Sequence, residues 1–103
     1  MQFRDLSKQY EMMKEKIDTV IQIMETANSK EIKEIITAID ITDDDNFILE
    51  IPSEGKTVQF GDSSNINVKI LWVIDIMGRT KNEEGEIIVK GSDTKKAYFR
   101  EKV

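Results

Sequence analysis

The chain has 103 residues, 39% of them hydrophobic and 34% charged, and its formal net charge at pH 7 is −5. This length fits a single domain, residues 1–103, and the composition is that of a folded rather than a disordered protein. The acidic balance disfavours nucleic acid as a partner, because phosphate binding needs a basic surface. The sequence has no cysteine and no histidine, which excludes thiol catalysis, thiolate–zinc sites and the commonest general base.

Apolar residues near the N-terminus recur alternately every three and every four positions, a spacing typical of an amphipathic helix of about seven turns. They are Phe3, Leu6, Tyr10, Met13, Ile17, Val20, Met24 and Ala27. We expect one long helix that packs this apolar face on the domain's own sheet. The same stripe is compatible with the seam of a coiled-coil dimer, and this alternative stays open.

Alternating apolar residues next predict three consecutive strands. The segment 31–42 begins as a short helical turn and ends as a strand, and further strands follow at Phe47–Ile51 and at 57–60. An acidic turn at 43–46 and a loop at 52–55 separate these strands. Because connections this short join antiparallel neighbours, we expect an antiparallel meander.

The segment 61–65 is rich in residues that cap helices, and the apolar run that follows it has two possible periods. It alternates as a strand would, and it also forms a helical face. Because the run is long for a strand and follows a cap, we predict a second helix near residues 64–79. Two further strands are predicted at 85–90 and 96–101, with a turn between them.

These elements together predict an α+β fold. We expect a mostly antiparallel sheet of about five strands, packed with the long N-terminal helix and with the second helix. The residues expected in the core are Leu6, Tyr10, Met13, Ile17, Ile39, Ile51, Val58, Phe60, Ile70, Ile74, Ile88 and Phe99.

No motif indicates a catalytic, cofactor-binding or metal site. The acidic turn at 43–45 lacks the central glycine of an EF-hand calcium loop, and the segment 61–64 lacks the lysine of a phosphate-binding loop. No spacing marks out a pair of carboxylates of the kind that glycosidases use. We therefore expect a protein that is not an enzyme and needs no cofactor or metal. A small carboxylate-based enzyme or ligand binder remains the less favoured alternative.

The last predicted strand is the feature that points to a partner. It ends the sequence and can lie at a sheet edge, where unpaired N–H and C=O groups are available to another strand. Its basic residues can equally protect such an edge against aggregation. Alternation directs Phe99 to the core and Tyr98 outward. The candidate partner-binding residues are Lys96, Ala97, Tyr98, Phe99, Arg100 and Glu101.

Several short stretches follow the first helix in a characteristic order. They are Ile39-Asp40-Ile41, Phe47–Ile51, Gly55 to Asp62, Asn65-Ile66, Lys69-Ile70-Leu71, Gly85 to Val89 and Ala97-Tyr98-Phe99. This order resembles the C-terminal β-domain of the FtsQ/DivIB family of bacterial cell-division proteins. The resemblance covers nearly the whole chain, and one departure is that the family's Ile-Asp-Leu strand is Ile87-Ile88-Val89 here.

The resemblance implies a non-enzymatic divisome scaffold that acts in cell division and septum formation. It implies partners of the FtsB/DivIC and FtsL types, the first of which adds a strand at the C-terminal edge. It also implies a place on the extracytoplasmic side of the cell membrane at the septum. A membrane helix and a POTRA domain would then precede this part of the protein. We expect the domain alone to be soluble and monomeric.

Overall fold

The computed structural model describes residues 3–43, 45–90 and 97–102, with side chains from residue 13 onward. The predicted α+β fold is confirmed, with two helices and five strands among these residues. The predicted turn between the last two strands lies outside the described residues. In chain order the elements are α1 Phe3–Ser29, a 3₁₀ turn Lys33–Ile35, β1 Ala38–Asp40, β2 Phe47–Ile51, a 3₁₀ turn Pro52–Glu54, β3 Lys56–Gly61, α2 Ile66–Arg79, β4 Gly85–Ile88 and β5 Tyr98–Glu101.

The strands form one sheet whose spatial order follows the sequence, β1-β2-β3-β4-β5. Three of the neighbouring pairs are antiparallel, and the pair of β3 and β4 is parallel. The parallel pair follows from α2, which connects the two strands and returns the chain to the same end of the sheet. Within the described residues, β1 and β5 are therefore the two edges.

The core lies between one face of the sheet and the helices. Among the predicted core residues, Ile51, Val58, Phe60 and Ile70 are fully buried. The predicted residues Ile39, Ile74 and Phe99 are half-buried against this core. Ile88 is buried as predicted, but its pairing with Gln59 and Tyr98 places it on the other face of the sheet. The side chains of Leu6 and Tyr10 lie outside the described part of the chain.

The predicted packing of α1 is wrong for its middle turns. Met13 is 52% exposed and Ile17 is 46% exposed, although both were expected in the core. Among the described side chains of α1, the buried ones begin at Thr19 and continue with Ile23 and Ala27. The helix packs mainly on α2 and the first 3₁₀ turn, and not mainly on the sheet as predicted. The reason is length, because a helix of 27 residues extends about 40 Å. Its main partner α2 has 14 residues and extends only about 21 Å.

No helix within the described residues is long and apolar enough to cross a membrane.

A buried lysine connects the end of β3 to the beginning of α2, and we call this connection the corner. Lys69 is 1% exposed, and its Nζ donates to the carbonyl oxygen and to Oδ1 of Asp62 at 3.1 and 3.2 Å. The same Nζ lies 5.1 Å from the centre of the Phe60 ring.

The segment 61–65 was predicted to cap α2, but Asn65 makes no side-chain cap at the start of this helix. Instead, Asp62 accepts hydrogen bonds from the backbone N–H and the hydroxyl of Ser64.

These contacts give the corner an acid sensitivity. The hydrogen bonds from Ser64, with a smaller contribution from Lys69, lower the pKa of Asp62 to about 2. Since an unfolded aspartate has a pKa of about 3.9, the stabilisation is fully present above that pH. It is lost as the pH falls toward 2. The Asp62 side chain is 56% exposed, so we expect less than about 1 kcal/mol.

We predict that Asp62→Asn removes this part of the acid sensitivity. Between about pH 5 and about pH 2 the free energy of unfolding should fall less in Asp62→Asn than in the wild type, as measured by urea titration. Asp18→Asn, which changes an exposed aspartate of α1, should follow the wild type. Equal acid sensitivity of Asp62→Asn and the wild type would contradict the assignment.

Candidate partner-binding edge

β5 lies at the edge of the sheet, in antiparallel register with β4. No other strand of the described residues pairs with its outer side. Lys96, one of the predicted site residues, lies outside the described residues. The structure brings the other five together on this edge: Ala97, Tyr98, Phe99, Arg100 and Glu101.

One hydrogen bond at the end of the strand shows which backbone groups of β5 are free. The N–H of Lys102 donates to the carbonyl oxygen of Glu84 in front of β4, at 2.8 Å. In an antiparallel ladder the backbone groups of successive residues point to opposite sides. The even-numbered residues of β5 therefore face β4, and the odd-numbered ones face away from the sheet. The free edge offers the N–H and C=O groups of Phe99 and Glu101 to another strand.

Tyr98 and Phe99 of β5 lie on opposite faces of the sheet, as predicted. Phe99 is packed against the core, and Tyr98 is 52% exposed on the opposite face. A cavity of about 240 Å³ lies beside the strand, between β5 and the end of α2. A strand added to β5 can place its side chains in this cavity and against Tyr98. The residues that line the cavity are Ile76, Arg79, Thr80, Ala97, Tyr98 and Phe99.

A row of polar side chains crosses the outer face from β3 to β5. Glu86 accepts hydrogen bonds from the amide of Gln59 and from Arg100, whose Nη2 lies at 3.1 Å. These two contacts, that of Gln59 first, lower the pKa of Glu86, so this carboxylate is ionised at neutral pH. Arg100 is more than half exposed, and an exposed pair of this kind contributes at most about 1 kcal/mol. A carboxylate of a partner can therefore compete for Arg100.

A wide cleft of about 700 Å³ opens at the end of β3, β4 and β5. Its charged residues are Glu84, Glu86, Arg100, Glu101 and Lys102. The lowered pKa of Glu86 is opposite in direction to the raised pKa that a general acid needs. Within the described residues, no group of three or more acidic side chains is arranged to hold a metal ion.

A buried lysine, which no sequence pattern indicated as a site residue, lies under the edge strand. Lys56 is 3% exposed, and its Nζ lies 5.7 Å from the centre of the Phe99 ring. The ammonium group donates to the carbonyl oxygens of Glu54, Thr80 and Glu83 at 3.1, 3.0 and 2.9 Å. Lys56 thus joins the start of β3 to the connection between α2 and β4 and to the edge strand.

Comparison with family models, curated proteins and solved structures gave no match for this chain. The resemblance to the FtsQ/DivIB β-domain is therefore carried by the order of sequence signals alone. The partner-binding role of β5 stays a prediction.

Close approach of β5 to β4 depends on Gly85. A Cβ atom at this position would collide with the carbonyl oxygen of Arg100 and lie 2.8 Å from Cζ of Phe99. We predict that Gly85→Ala pushes β5 outward and lowers the free energy of unfolding by about 1–3 kcal/mol, measured by urea titration. Gly78→Ala is the matched control, since nothing lies within 4 Å of a Cβ there and alanine favours the helix. Unchanged stability of Gly85→Ala would contradict this packing.

Proposed function

We propose that this domain is a non-enzymatic scaffold of the bacterial divisome, which binds a partner of the FtsB/DivIC type by strand addition at β5. The observation that carries the proposal is the free edge of β5, where the backbone groups of Phe99 and Glu101 point away from the sheet. The ordered resemblance to the FtsQ/DivIB β-domain supports it. The resemblance also implies an FtsL-type partner and a location on the extracytoplasmic side of the membrane at the septum, and both are part of the proposal.

The other edge of the sheet is less suited to strand addition. β1 has three residues and β5 has four, so strand length separates the two edges only slightly. The end of β1 is occupied by a local turn, in which Asp40 Oδ1 accepts the N–H of Thr42 at 2.9 Å. β5 instead presents the exposed ring of Tyr98 and the adjoining cavity. These two features favour β5 as the docking edge.

Backbone pairing alone is too weak to hold the partner. Two outward-facing residues provide at most four hydrogen bonds, which together contribute about 2–6 kcal/mol net. Association costs about 4–15 kcal/mol in lost translational and rotational freedom, so backbone pairing leaves little or no surplus. Side-chain contacts must therefore supply the remainder, and aromatic residues are frequent anchors in interfaces. Tyr98 and the cavity beside Phe99 provide such contacts, and Arg100 and Lys102 favour an acidic partner.

The test removes one outward backbone donor by methylation of the Phe99 nitrogen. Because the sequence has no cysteine, a synthetic peptide of residues 97–103 can be ligated through a cysteine at position 97. Desulfurisation then restores Ala97. We predict that N-methyl-Phe99 weakens binding of the FtsB/DivIC-type protein from the same cell about tenfold or more, as measured by calorimetry. N-methylation of Arg100 is the matched control, since it removes an inward donor and should lower the stability of the domain.

Side-chain variants in the same titration separate the anchor from the backbone. Tyr98→Ala should weaken binding by more than about 1 kcal/mol if the ring is a hot spot, and Tyr98→Phe should keep most of the affinity. Wild-type affinity of a folded N-methyl-Phe99 domain would refute strand addition at this edge. A wild-type domain that does not bind the partner would refute the divisome proposal itself.

A second candidate, a coiled-coil homodimeric adaptor, is favoured by the exposed side of α1. Met13, Ile17 and Ile21 are 52%, 46% and 47% exposed and lie four residues apart, on one face of the helix. The divisome proposal predicts a monomer in sedimentation equilibrium at tens of micromolar. A dimer that dissociates in Ile17→Lys and persists in Gln22→Lys, a change on another face of α1, would favour the adaptor instead.

A further inference from the structure

Lys56 is a buried charged group that neither the core nor the proposed binding surface explains. An ammonium group taken out of water costs stability unless its hydrogen bonds replace those of water, and an apolar side chain of similar volume often serves a core equally well. The Lys56 ammonium group donates three hydrogen bonds to backbone carbonyl oxygens. Its effect is therefore to fix backbone segments in place rather than to neutralise a charge.

We infer that Lys56 is the positioning residue of the partner-binding edge, an inference that rests on the function proposed for β5. Its three acceptors lie in two segments. Glu54 lies in the turn before β3, and Thr80 and Glu83 lie in the connection between α2 and β4. One ammonium group thereby holds the turn before β3 against the connection that leads into β4, the strand with which β5 pairs.

Two contacts transmit this constraint to the edge strand. The ring of Phe99 lies 5.7 Å from Lys56 Nζ, within the range of a cation–π interaction. The carbonyl oxygen of Glu84, next to the Lys56 acceptor Glu83, takes the hydrogen bond from the N–H of Lys102. Lys56 thus acts on β5 near its middle, through the ring, and at its end, through the loop.

The same contacts shape the cavity beside the strand. Thr80 and Phe99 both line that cavity, and both are contacts of Lys56. Loss of the ammonium group frees the two walls to move apart. The outward backbone groups of Phe99 and Glu101 are then no longer held in line before a partner arrives. A preorganised edge binds more tightly than a loose one because less ordering accompanies association.

The chain offers a matched control in Lys69. It is equally buried, it also lies over a phenylalanine ring, and its Nζ also bonds to a backbone carbonyl oxygen. Its contacts are with Phe60 and Asp62, at the corner between β3 and α2. Lys56→Met and Lys69→Met remove the same charge at similar burial, and only the first removes a contact with β5.

Hydrogen exchange of the whole chain without a partner, followed by NMR, tests the inference directly. In Lys56→Met the amides that face β4, those of Tyr98 and Arg100 in β5 and of Lys102 just after it, should exchange at least tenfold faster than in the wild type. The exchange rates of the amides that pair β2 with β3 should change much less. In Lys69→Met, β5 should keep wild-type exchange. A uniform increase over all strands in Lys56→Met, or an unchanged β5, overturns the inference, because either result shows an ordinary stabilising residue.

A second variant decides the matter if Lys56→Met does not fold. Phe99→Leu keeps the lysine and its carbonyl acceptors but removes the ring, and it should also speed exchange of the Arg100 amide selectively. Unchanged exchange of the Arg100 amide in Phe99→Leu overturns the inference.

Binding of the FtsB/DivIC-type protein should weaken about tenfold in Lys56→Met and remain unchanged in Lys69→Met. Failure of the wild type to bind that protein counts against the proposed function alone, because the exchange measurement uses no partner.

Discussion

An open sheet leaves backbone N–H and C=O groups unpaired along two edges, and these groups must bond to water, to side chains or to another chain. In this protein α2 crosses from β3 to β4 and makes that pair parallel, so that β4 and β5 extend the sheet on the far side of the β1–β3 meander. Among the described residues, no strand pairs with the outer side of β5. The position of the candidate site is thus a consequence of the topology.

The two buried lysines show how the sheet is joined to α2. Lys69 fixes the beginning of α2 to the end of β3, and Lys56 fixes the residues after α2 to the start of β3. Each ammonium group donates to carbonyl oxygens of irregular backbone, where strand and helix ladders do not supply the donors. The described exposed ion pairs, Arg79 with Asp75 and Arg100 with Glu86, lie on the outside, where such pairs contribute little.

Local sequence patterns predicted the type and position of most secondary-structure elements. Alternation identified β2 and β3, and the length of the apolar run settled α2 as a helix. The burial of Met13 and Ile17 was predicted wrongly because periodicity identifies the apolar face of a helix but not the length of the surface that it meets. Lys56 occupies an inward position two residues before Val58. Its role was not visible in the sequence, because its acceptors Thr80 and Glu83 are distant in the chain.

The side on which each backbone group of β5 points could not be predicted from the sequence, because it depends on the register with β4. That orientation is also the basis of the central claim. The most direct measurement is residue-resolved hydrogen exchange of Phe99 and Glu101, in the free domain and in the presence of the proposed FtsB/DivIC-type partner. Strand addition predicts that both amides exchange rapidly in the free domain and at least tenfold more slowly in the saturated complex. Protection already present in the free domain, or none gained on saturation, would contradict it.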